Sequence, residues 1–176
     1  MIKFSETVEN IIKSYQTVLG KDYDGYRNHL YRLINLCEAV KPLNETESEK
    51  IAIAAVFHDL AIWTEHTSDY VGPSEALAKA YLQSIEFPEW EEDVCSIIRE
   101  HHKFTACDKG LTLAEIFRRA DWIDVTSGLR SFGVPRKDIQ WIMKEFPDEG
   151  FHPLLAGVIR NQIIKHPLNP LPMFKW

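Results

Sequence analysis

The sequence predicts an all-α protein, a single-domain helical bundle spanning residues 1–176. Three observations carry this expectation. Apolar residues recur at helical spacing along most of the chain. Capping residues and prolines stand where such runs begin. No alternating run is long enough for a strand, since Val71 and the Leu129–Val134 stretch are short and glycine-rich.

Taken in order, Ser5 to Leu19 reads as a first helix stopped by Gly20. Asp24 caps a second through Val40, with Tyr26, Leu30, Leu33, Ile34 and Cys37 on one stripe. Asn44-Glu45-Thr46-Glu47 supplies caps for a third through His58-Asp59. Within it Ile51–Phe57 is apolar all round and belongs at the centre of the domain. Pro73 opens a fourth helix and Pro88 a fifth ending near His102. Thr112-Leu113-Ala114-Glu115 has the form of a capping box opening a sixth helix through Asp124. Pro135–Phe146 and Pro153–Lys165 read as two more, and the proline-rich close, Pro167–Pro172, cannot be helical.

Composition narrows the function. The chain is 45% hydrophobic and 26% charged, as globular proteins are. A net charge of -6 argues against a nucleic acid polymer as partner. No apolar run approaches the roughly 20 residues of a membrane span. Three cysteines, Cys37, Cys95 and Cys107, form no C-x-x-C pair and suit a reducing compartment. The start, Met1 to Glu6, turns polar too soon for a secretory signal. A cytoplasmic location is the resulting expectation.

The informative dipeptide is His58-Asp59, at the end of the most apolar helix. A carboxylate there is costly unless paired or bound to a cation. The alternative is that Asp59 merely ends the helix and His58 is a satisfied core histidine. His29 borders the second helix's stripe, about 40° from Leu33 on a helix. Asp121 follows Ala114 and Phe117 on one face, with Asp124 a turn later. Helical bundles converge such residues on core metals. Mixed imidazole and carboxylate donors suit Mn, Fe, Co, Ni or Zn without selecting one.

The order His29, His58-Asp59, Asp121 resembles the H…HD…D signature of the HD-domain superfamily of metal-dependent phosphohydrolases. The flanking segments agree: Tyr26–Leu33, Ala54–Leu60 and Arg119–Asp124 are similar to the family's three motif helices, so the likeness covers about residues 24–126, ahead of C-terminal helices and tail at 135–176. The resemblance implies that His29, His58, Asp59 and Asp121 hold one divalent ion (Mn, Fe, Co, Ni, Zn or Mg). An octahedral ion would keep about two positions for water and a phosphoryl oxygen.

His101-His102 sits where some members carry an extra histidine pair, a candidate for catalysis or, alternatively, a helix C-cap. Two-metal members have a further histidine where this chain offers Ser74, which favours one metal. After HD the chain reads Leu60-Ala61-Ile62-Trp63-Thr64-Glu65-His66. It thus lacks the acidic residues of the guanosine-tetraphosphate hydrolases, and it lacks the closely spaced glutamate of the deoxynucleotide 5'-phosphatases. Glu65 and His66 read as a solvated loop. Arg27, Lys103 and Arg118 are candidates for binding substrate phosphate, or else solvated surface cations. His152 and His166 read as helix-boundary residues, and Trp90, Trp141 and Trp176 as packing aromatics. The implied function is hydrolysis of a small phosphorylated metabolite, a nucleotide among the candidates. The alternatives are a non-catalytic metal- or nucleotide-binding sensor and a di-iron HD-fold oxygenase.

Overall fold

The computed structural model describes residues 3–107 and 110–167. Helices α1 (Glu6–Ser14), α2 (Gln16–Leu19), α3 (Tyr23–Val40), α4 (Glu45–Phe57) and α5 (Ala61–Thr64) lead into α6 (Val71–Ser84) and α7 (Glu91–Glu100). They are followed by α8 (Leu113–Val125), α9 (Arg136–Glu145) and α10 (Phe151–Lys165). Among the described residues there is no strand, so the fold is all-α. No helix among them is long and apolar enough to cross a membrane. The proline-rich stretch after Pro167 lies outside the described residues.

The core is built around α4. Its N-terminus carries a complete capping box: Asn44 Oδ1 accepts the Glu47 amide at 2.9 Å, and Glu47 accepts the Asn44 amide at 3.0 Å. Every residue from Ile51 to Phe57 is buried, as the all-round apolar segment requires. Helices α3, α6 and α7 pack around it, and α8 closes the bundle against α3 and α7. The Tyr26 hydroxyl donates to the Val56 carbonyl at 2.8 Å, tying α3 to the end of α4.

Several boundaries differ from the sequence expectation. The first helix breaks at Tyr15, whose ring turns edge-on to Phe57, and Gly20, at φ +54°, begins a tight 3₁₀ turn into α3. Helix α4 stops at Phe57 rather than Asp59. Bonds from the Leu60 amide to the Phe57 carbonyl and from the Ile62 amide to the Asp59 carbonyl tighten this segment into a turn. Helix α5 was not expected at all. Helices α6 and α10 each begin two residues before their prolines, which remain in the first turn where no amide hydrogen bond is lost.

Only half of the Thr112–Glu115 box forms. The Thr112 hydroxyl accepts the Glu115 amide, but the Glu115 carboxylate turns to Arg118, Arg119 and the Cys107 amide instead. At Gly25 in α3, a Cβ would meet the Glu149 carbonyl oxygen at 2.9 Å. The bare backbone there lets the chain before α10 lie against α3.

Burial alone would raise the Glu115 carboxyl, but the bonds from Arg118, the Cys107 amide and Arg119 hold it at about 2. Its folded value lies below the unfolded one of about 4.3. Its stabilisation is therefore complete above about pH 5 and is lost as pH falls toward 2. Glu115→Gln should cost about 3 kcal/mol in urea unfolding at pH 7, because Arg118 is left buried without its anion. The loss should shrink at pH 3; an equal loss at both pH values would show that the ionised carboxylate is not what stabilises.

Candidate metal centre

Four segments bring acid and imidazole groups together in the core. Helix α3 carries His29, the turn after α4 carries His58 and Asp59, the end of α7 leads into His101 and His102, and α8 carries Asp121 and Asp124. All are buried except His102, which is half-buried. Helix α4 dictates the placement of the HD pair, because a segment apolar on every side carries its end into the middle of the bundle.

The hydrogen bonds fix how the rings present their nitrogens. His58 Nδ1 lies 2.6 Å from the Ala55 carbonyl, and His101 Nδ1 lies 2.6 Å from the Ile98 carbonyl. A carbonyl can only accept, so each Nδ1 carries a proton and each ring turns its Nε2 away from its helix. His29 Nδ1 lies 2.7 Å from Asp124 Oδ2. Burial would raise Asp124, but His29 and Arg32 hold its carboxyl far below the usual range, so it too accepts. Burial in turn pushes His29 down to about 4, against the pull of Asp124, leaving its ring neutral near pH 7.

The Nε2 atoms converge. His29 Nε2 and His58 Nε2 stand 3.2 Å apart. His58 Nε2 is 3.4 Å from Asp59 Oδ2, and His101 Nε2 is 3.5 Å from Asp59 Oδ1. Asp59 Oδ1 and His101 Nε2 are buried and make no hydrogen bond. Buried polar atoms left without a partner are costly, and a cation among them would relieve that cost. His29, His58 and Asp59 each offer a ligand atom within 4.8 Å of the others, and so do Asp59, His101 and His102. Asp121 is in neither group; it is buried nearby, its carboxyl pushed up to about 8 by burial and by Asp59 and Asp124, against the influence of His101. A divalent ion beside it would return it to a carboxylate. Nitrogen and oxygen donors in this combination fit a first-row divalent ion.

The three cations expected at the phosphate lie elsewhere. Arg27 pairs with Glu9 at 2.6 Å and rides over the Tyr31 ring. Arg118 is gripped by both oxygens of Glu115 at 2.8 Å. The Lys103 ammonium pairs with Glu100, and its carbonyl accepts from Arg118 and Trp122. None of them lines the recess of about 230 Å³ that opens over Asp59 and Asp121. Glu65 and His66 are exposed.

Other groups at the centre were not singled out from sequence. Arg32 donates to both Asp124 oxygens at 2.5 and 3.0 Å and so orients the partner of His29. The pairing of an arginine one turn after His29 with an aspartate one turn after Asp121 was the available signal. Phe151 stacks on the His29 ring with centroids 4.0 Å apart. His152 lies 3.1 Å from the Asp124 carbonyl and faces the recess rather than merely bounding a helix. The Tyr70 hydroxyl and His102 Nε2 share a 2.5 Å hydrogen bond beside it, and no periodicity marked Tyr70.

No curated protein and no solved structure matches the chain. The family model of the HD domain matches residues 26–126, a span running from just before His29 to just past Asp124. With more than half of its length so matched, the chain belongs to the HD-domain family, whose members are largely metal-dependent hydrolases.

Proposed function

We propose that this chain is a metal-dependent phosphohydrolase in which His29, His58, Asp59 and Asp121 hold one divalent ion. The observation that carries the reading is the clustering of His29, His58 and Asp59 ligand atoms within 4.8 Å of one another, each ring held from behind through its Nδ1. Outer partners that fix tautomer and orientation in this way are the usual support of metal-ligating histidines. When bound, such an ion acidifies a water and draws charge from a phosphoryl oxygen.

The chain's own groups do the rest. Burial keeps His29 neutral, and Asp124, itself held by Arg32, aims its ring. Burial keeps bulk water from the donors. His102, held by Tyr70, is the group we assign to orient the water or a phosphoryl oxygen in the recess. In the reaction the water oxygen bonds to phosphorus and the ester P–O bond breaks. One water proton ends on the departing alcohol, and the other leaves with phosphate or solvent.

The trio Asp59, His101 and His102 favours a second reading, with two ions sharing Asp59, as a di-iron oxygenase would need. Against it, His102 Nε2 is engaged by Tyr70. Ser74, where two-metal members place a histidine, instead accepts the Ala61 amide at 3.4 Å and braces the HD turn.

Protein loaded with Mn, Co or Ni and screened against phosphoesters should turn over at least one class. His58→Ala and Asp59→Ala should lose bound metal and turnover together and melt lower, since a ligand bound only to the native state stabilises it. His166→Ala should keep its metal. Full occupancy in Asp59→Ala would show the site misassigned.

His102→Ala should keep about one ion per chain while kcat falls by about 10²-fold, the lower end of general acid–base effects. Tyr70→Phe should move kcat the same way by less, with metal content unchanged. A drop from two ions to one in His102→Ala would replace the single-ion reading with the two-metal one.

A further inference from the structure

The walls of the recess over Asp59 and Asp121 are hydrocarbon. Helix α10 contributes Leu155, Val158 and Ile159, and the opposite side contributes Ile62, Trp122 and Val125. Its polar lining is Asp59 and Asp121, with Tyr70, His102 and His152. Among the described residues no lysine or arginine lines it. Arg130, whose guanidinium lies 4.8 Å from the centre of the Trp122 ring, touches a wall residue without joining the lining. Arg32 is sealed behind Asp124.

Charge bookkeeping sharpens this. A divalent ion is offset by the carboxylates of Asp59 and Asp121, while Asp124 is balanced by Arg32. The loaded centre has no surplus positive charge for a chain of phosphates, and burying unpaired phosphates against hydrocarbon is expensive. At about 230 Å³ the recess is also smaller than the roughly 300–1,000 Å³ of sites that take drug-sized ligands.

We propose that the substrate of this centre is a small ester with one phosphoryl group on an apolar ring or chain, not a polyphosphorylated nucleotide. The proposal takes its phosphoryl group from the phosphohydrolase reading and adds the body to which that group is attached. The phosphoryl end would face the Asp59 and Asp121 end of the recess, and the body would lie between α10 and Trp122. Removing that body from water supplies the binding energy.

The test is calorimetric binding of non-hydrolysable probes to the Mn-loaded protein, read without turnover. 1-Naphthylphosphonate should bind at least about 10-fold more tightly than a methylene-bridged nucleoside triphosphate at the same ionic strength. Ile159→Lys puts an ammonium into the wall at a half-buried position that a long side chain tolerates. It should reverse that order, and Leu155→Lys serves if the first variant does not fold. Tighter binding of the triphosphate to the unsubstituted protein, or binding of neither probe, overturns the proposal. A preference for the naphthyl probe with no ester ever hydrolysed would overturn the phosphohydrolase reading and leave the apolar specificity standing. Efficient turnover confined to nucleoside triphosphates would do the reverse.

Discussion

One buried guanidinium organises the side of the molecule on which the centre is built. Arg32 has almost no contact with solvent, yet it donates to both oxygens of Asp124 and to the carbonyls of Phe146 and Pro147. Burying a charged pair costs several kcal/mol per ion unless the remaining donors and acceptors are also satisfied. Here they are: the fork takes carboxylate on one side and backbone on the other, and Asp124 accepts a further bond from His29. The result joins α3, α8 and the segment before α10 through one planar group, and it sets the direction of the His29 ring. A lysine could not make these bonds, because it lacks the rigid fork.

The centre inherits a division of labour from this arrangement. The side made by α3, α4, α7 and α8 is fixed, its rings locked through Nδ1 to helix carbonyls or to Asp124. The side made by α10 is lighter, with Phe151 its one buried residue and the residues beyond it half-buried or exposed. A rigid half that holds donors at set distances and a looser half that admits a ligand is a sensible partition for a reactive group placed inside a core.

Much of this was readable in the chain. The all-round apolar run of Ile51–Phe57 located the centre of the bundle, and the segments that carry the ordered His29, His58-Asp59 and Asp121 come together there. What escaped depends on distance along the sequence. Tyr70 and His102 stand 32 residues apart, so no local pattern announces that pair, and Arg32 and Asp124, 92 apart, are marked only by each standing one turn after a motif residue. Adjacency misled at Arg27, two residues before His29. Successive residues on a helix diverge by about 100°, so two steps carry a side chain to nearly the opposite face. At Glu115 the capping pattern was real for Thr112 alone, because two arginines on the same helix offered the carboxylate stronger partners than one amide.

The missing side chain at Gly25 has a wider consequence. It sits one helical turn ahead of His29, on the face where the Glu149 carbonyl presses against α3, and α10 begins two residues after that carbonyl. The position of the recess wall is thus set by a spacer of zero length. A relative bearing a larger residue there would have to carry its last helix farther out, widening the opening while its ion-binding residues stayed in place. Position 25 is accordingly a marker that could sort members of the family by the girth of what they admit, using sequence alone and without reference to the residues that hold the ion.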